Sequence, residues 1–248
     1  SMPEGTSSDY TVEVSENNLH ATYSDGSAIS GNVVKRADNM TFFTHFDWND
    51  VEKTVTPETV SATIAKKMSQ DITYNVSVNR SRPQGREYIG MFTKNIVITD
   101  TIKLPEFAKF AAGGGSVSVE QSSSGKWNVK SGSTVIAVIE QKAAAKDIKV
   151  TVTEASLSAD KSTLTFKYNQ ETLYTEENAA EYTDEMVYPS FEVTVQRNGV
   201  DIDPETIPEE PNIEQITNTA EFKAVSWDGK YEDRSEAAAT TDCLLYTS

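Results

Sequence analysis

Three polar residues of this chain fall where a strand's alternation calls for apolar ones. In residues 96–102, Ile96, Ile98, Asp100 and Ile102 share one face, opposite Val97, Thr99 and Thr101. Further on, Ile216, Asn218, Ala220 and Phe222 share a face, opposite Thr217, Thr219 and Glu221. Around Lys53 the same parity groups Val51, Lys53 and Val55. Successive side chains of a strand point to opposite faces. A lysine, an aspartate and an asparagine are therefore each expected to point inward among aliphatic neighbours. Burying an unpaired amide costs roughly several kcal/mol, and an isolated charge far more. The burial makes physical sense if the three meet.

Their chemistry together is specific. An apolar pocket favours the neutral forms of both an amine and a carboxylic acid. A neutral amine is a nucleophile, and a protonated aspartate can donate a hydrogen bond to the asparagine carboxamide oxygen. Attack on the carboxamide carbon, with loss of ammonia, gives an intramolecular isopeptide bond. Desolvation activates the nucleophile and hydrogen bonding polarises the electrophile.

The segments Lys53-Thr54-Val55-Thr56-Pro57-Glu58-Thr59-Val60, Ile72-Thr73-Tyr74-Asn75-Val76, Ile98-Thr99-Asp100-Thr101 and Ile216-Thr217-Asn218-Thr219-Ala220 carry a resemblance. Together they resemble the isopeptide-forming domains of Gram-positive fimbrial subunits and collagen-binding-type surface adhesins, in that family's order. The resemblance covers residues 51–237. It implies that Lys53 is the amine, Asp100 the catalytic acid and Asn218 the carboxamide partner. The stretch between Lys53 and Tyr74 is longer than the family pattern, as though a short helix were inserted. That leaves Lys66 and Lys67 as alternative nucleophiles, since Lys66 shares parity with Ile64 and Met68 if the piece is strand.

Strands must position these residues, and the composition favours strands. The chain holds 28 Thr and 22 Val against 7 Leu, and β-branched side chains suit a pleated, half-buried surface. Strand patterns occur at 10–14, 19–23, 29–34, 40–46, 51–55, 72–78, 95–102, 116–119, 127–129, 134–140, 147–153, 162–167, 191–196 and 214–226. Thr56-Pro57-Glu58 reads as a helix start, and Val60, Ile64 and Met68 recur every four residues, so the spacing predicts a short helix over 57–68. Residues 80–90, 171–185 and 201–211 read as loops, the second with a helical turn. Many short strands without a βαβ rhythm predict an all-β fold, an immunoglobulin-like antiparallel β-sandwich with a short helical insertion. Residues 1–50 are expected to form an N-terminal β segment and 51–240 the sandwich. The final Cys-Leu-Leu-Tyr-Thr-Ser resembles translated adapter DNA and Ser1-Met2 a cleavage scar, so 241–248 are expected to be a non-native tail outside the fold.

Charge and residue counts exclude several functions. A net charge of −16 repels phosphate backbones and anionic lipid, which argues against nucleic acid and membrane partners. The longest aliphatic run, residues 135–139, is too short to span a bilayer. One cysteine and two histidines leave no disulfide or multi-cysteine zinc site, and neither His20 nor His45 lies near a catalytic motif. No metal or cofactor is expected. Asp201, Asp203, Glu205, Glu209 and Glu210 could gather calcium, but without EF-hand spacing they read as a solvated loop. Trp127, Trp227 and Tyr88, with Phe92, are candidates for a surface that grips a host protein or glycan, or else belong to the core. A hydrolase using two carboxylates has only abundant acids in its favour.

The expected function follows from the triad and the resemblance. It is a structural or adhesive module of an extracellular, cell-wall-anchored bacterial surface protein, stapled between its first and last strands and flanked by further domains. The self-reaction turns over once, so the chain is not expected to be an enzyme. A ligand-binding adhesin domain without a crosslink is the alternative. No signal peptide or sorting motif is present, which fits an excised fragment.

Overall fold

A computed structural model of the chain describes residues 10–15, 18–23, 44–46, 49–63, 67–80, 93–110, 116–143, 148–172, 188–203, 205–206, 213–226 and 231–246. Among them there is no α-helix, only a 3-10 turn at Arg197–Gly199. Two large sheets carry the fold. The first contains β4 (Asn49–Thr56), β7 (Ile72–Arg80), β10 (Val117–Ser123), β11 (Lys126–Ser131), β12 (Thr134–Ala143) and β15 (Ser190–Val195), in the order β10-β11-β12-β15-β7-β4. The second contains β5 (Thr59–Thr63), β6 (Lys67–Met68), β8 (Thr93–Lys103), β13 (Ile148–Leu157), β14 (Thr163–Thr172), β17 (Ile213–Ser226) and β18 (Tyr231–Tyr246). Its order is β13-β14-β8-β17-β18-β5-β6, and β3 (Thr44–Phe46) also pairs with β18. β1 (Tyr10–Ser15) with β2 (Asn18–Tyr23), and β9 (Ala108–Phe110) with β16 (Val200–Ile202), form two small two-stranded sheets.

The fold is an all-β sandwich, and its strands follow from alternation. In β14 the buried residues Leu164, Phe166, Tyr168 and Gln170 alternate with half-buried ones. In β15 Phe191, Val193 and Val195 do the same. These faces meet across the sandwich, where Tyr168 of one sheet stacks on Phe191 of the other with ring centroids 4.3 Å apart. The turn between β11 and β12 is tight, and Gly132 takes the left-handed conformation it needs, at φ 59°.

Two expectations differ from the structure. Of the residues expected to be helical, 57–63 and 67–68 are described and form no helix. Thr59–Thr63 and Lys67–Met68 are strands, while 64–66 lie outside the described residues. In β5 the buried Val60 and Ala62 alternate with more exposed neighbours, a period of two. A spacing of four between apolar residues fits a helix face but is also an even number, so it fits a strand face equally. A sheet partner decides the matter: β5 runs parallel to β18, with Val60 opposite Cys243 and Ala62 opposite Leu245.

That pairing carries the second difference. Residues 241–246, expected outside the fold, complete β18, and Cys243 and Leu245 are buried. Burial pushes the Cys243 thiol up to about 11. β4 runs across residue 50, and β3 pairs with β18 of the second sheet. The expected strand at 29–34 and residues 173–185 of the loop expected at 171–185 lie outside the described residues, while Glu171 and Thr172 end β14.

The C-terminal strand is therefore expected to be structural. Leu245→Ala removes a buried side chain beside β5 and should lower the unfolding free energy by about 2–5 kcal/mol, read as a lower denaturant midpoint with an unchanged slope.

Candidate functional site

Four strands converge on the three polar residues. β8 lies between β14 and β17, with Asp100 opposite Phe166 on one side and Ala220 on the other. Asn218 stands opposite Ile102, one diagonal step from Asp100, and Tyr168 stands opposite Ile98, one diagonal step in the other direction. Diagonal neighbours on one face lie within reach of long side chains. Lys53 comes from the opposite sheet, on β4, where it pairs with Val76 of β7.

The three side chains meet in the core. Asp100 and Asn218 are each 0% exposed. As a whole residue Lys53 is half-buried, because β4 is an edge strand, but its side chain is fully enclosed. The Lys53 ammonium donates to Asn218 Oδ1, and its Nζ lies 3.4 Å from Asp100 Oδ2. Asn218 Nδ2 donates to Asp100 Oδ1 and, at 3.1 Å, to the Thr101 carbonyl. Each group thus touches the other two.

This arrangement differs in one respect from the sequence expectation, which put an aspartate hydrogen bond on the carboxamide oxygen. Asp100 instead faces the carboxamide nitrogen. The Thr101 carbonyl explains the orientation, since it offers only lone pairs and so takes the NH₂ end. The carboxamide oxygen is left to the lysine.

Burial and charge act on the lysine in opposite senses. Desolvation pushes the Lys53 amine below its ordinary value, and the charge and hydrogen bond of Asp100 offset part of that. Two tyrosines complete the pocket. The Tyr168 hydroxyl donates to Asp100 Oδ2 at 3.0 Å. Burial holds that phenol well above its ordinary range, reinforced by the neighbouring Asp100 charge. Tyr74 presents its ring face, 5.8 Å from Lys53 Nζ. Its hydroxyl points elsewhere, to the Ile216 carbonyl at 3.2 Å and to Thr241 Oγ1 at 3.2 Å. Tyr168 was not among the sequence candidates; the signal that marks it as inward is the parity it shares with Leu164 and Phe166.

Trp127 is 4% exposed and part of the core. Trp227, Tyr88, Phe92 and Lys66 lie outside the described residues, as do the side chains of Lys67, His20 and His45. Asp203 is engaged by Lys109 at 3.0 Å and accepts from the Glu205 backbone amide at 3.0 Å. Among the described residues no three His, Cys, Asp or Glu side chains gather as a metal site, and no helix is long and apolar enough to cross a membrane. No family model matches the chain, and no curated protein matches it.

The tyrosines make a prediction at alkaline pH. Tyr74, chiefly through burial, is raised from 10.0 to about 12, with its hydrogen bond to Thr241 opposing the shift and the charge of Asp100 adding to it. Between these values the unfolded chain has lost a proton that the folded protein still holds, so rising pH favours unfolding. The stabilisation is complete below pH 10 and lost as pH passes about 12. Tyr74→Phe should flatten the fall in denaturant midpoint across that window.

Proposed function

We propose that the chain is a self-crosslinking structural module of an extracellular surface protein, in which Lys53 and Asn218 join through an isopeptide bond. The supporting observation is a buried amine and a buried carboxamide in mutual contact, both touching the carboxylate of Asp100. In this reading Asp100 Oδ2 accepts a proton from Nζ, and the freed amine attacks Cγ of Asn218. The Nζ–Cγ bond forms, the Cγ–Nδ2 bond breaks, and Nδ2 leaves as ammonia with the proton that Asp100 carried; Asp100 then takes the second proton that Nζ sheds as it becomes an amide N–H, and ends protonated. The hydrogen bond from Nδ2 to Asp100 puts that carboxyl beside the leaving group, so Asp100 serves as proton carrier between the two nitrogens. The reaction turns over once and ends in a structural bond.

The module's bond would differ from the expected staple between first and last strands. Asn218 is on β17, the penultimate strand, and Lys53 on β4, so the link runs from sheet to sheet. It encloses 165 residues of sequence separation. On the chain-entropy account used for disulfides, that contributes about 5 kcal/mol. A tensile load entering before Lys53 and leaving after Asn218 passes through the bond, and the strands between are shielded. This suits a stalk or adhesin that anchors a bacterial surface to a host protein or glycan, with neighbouring domains on either side. The crosslink-free ligand-binding alternative loses Trp127, which is core.

The intact mass of the folded protein should fall short of the sequence mass by one ammonia. Lys53→Ala and Asn218→Ala should each abolish the deficit and lower the melting temperature, and Asp100→Ala should block formation. A full mass in a folded sample would sink the reading. A deficit that survives in Lys53→Ala would move the amine to Lys66 or Lys67.

A further inference from the structure

The hydroxyl of Tyr168 is an addition that packing alone does not require. Its ring already fills the core, stacked on Phe191 and edge-on to Phe166 at 5.4 Å. A phenylalanine would make the same contacts without taking a phenol out of water, and a buried hydroxyl is costly unless paired. Here it donates to Asp100 Oδ2. That is the oxygen facing Lys53, while the other oxygen holds the Asn218 nitrogen.

Resting on the crosslink reading above, we propose that Tyr168 is a positioning residue for that reaction, acting through Asp100. Rotation about Cβ–Cγ would exchange the two carboxylate oxygens or turn both away from their partners. The hydroxyl pins one oxygen on the lysine side, and Asn218 pins the other. The titratable groups around Asp100 are Lys53 from β4, Tyr74 from β7 and Tyr168 from β14, and Asn218 from β17 is neutral. Tyr168 therefore holds Oδ2 where it can take the lysine proton.

The test follows crosslink formation by intact mass, starting from unreacted wild-type and variant chains kept in denaturant and diluted into folding buffer over a range of pH. Tyr168→Phe should slow the plateau rate about tenfold or more, the usual scale for a hydrogen bond to a charged group. Its acid limb should also move to higher pH, because a donor that favours the charged form of a carboxylate is then lost. Fluorotyrosine at 168, close in size and a stronger donor, should move the acid limb to lower pH, and this measurement stands even if Tyr168→Phe folds poorly. Acid limbs that coincide with wild type in both variants would overturn the proposal and reduce Tyr168 to packing. Absence of the ammonia deficit in the wild-type chain would instead overturn the crosslink reading itself, which separates the two failures.

Discussion

The sandwich is organised around a shortage of water. Lys53, Asp100 and Asn218 project into a core where no solvent reaches their functional groups, so each must find its partners among the others. An amine, a carboxylate and a carboxamide form a closed set for this purpose. The amine donates to both oxygens-bearing groups, and the carboxamide donates to the carboxylate. Thr101 and Tyr168 take up the remaining hydrogen-bonding capacity from the backbone and from a neighbouring strand. A buried polar group that loses one partner is more costly than one never placed there. The registers of β4, β8, β14 and β17 are thereby constrained together, since a one-residue slip in any of them turns its polar member outward.

Much of this was legible in the sequence because a strand has a period of two. The inward parity of Asp100 among Ile96, Ile98 and Ile102 survives into the structure without change, as does that of Asn218 among Ile216, Ala220 and Phe222. What parity cannot carry is pairing. It does not say that β14 lies beside β8, so Tyr168 gave no sign of reaching Asp100. Nor does it orient the Asn218 carboxamide, which is set by a backbone carbonyl on an adjacent strand. The helix expected at 57–68 and the tail expected at 241–248 share one cause: an apolar spacing of four fits helix and strand alike, and what decides for a strand is pairing with the last residues of β18.

The route of the chain through β3, β4 and β5 explains why Lys53 can face the other sheet. β3 and β5 both pair with β18 in the second sheet, while β4 between them pairs with β7 in the first. The chain therefore crosses the sandwich twice along one side. Several hydrogen bonds fasten that side: Val51 N donates to Ser235 Oγ at 3.0 Å, and Asp242 N to the Glu58 carbonyl at 2.8 Å. Lys53 occupies the middle of the crossing strand. From there its side chain reaches across the interlayer space to Asp100 and Asn218 instead of lying along its own sheet.

On the opposite side the two sheets end in the edge strands β10 and β13. Exposed backbone edges are templates on which other chains add strands, and irregular edges resist this. Both edges here are irregular. β10 shifts register between Gln121 and Ser123, and β13 between Thr153 and Ser156, where Glu154 takes φ 60°. Bulges of this kind bend a strand and sharpen its twist. A fold this rich in Thr and Val is exposed to edge-to-edge aggregation, and the irregular edges guard against it.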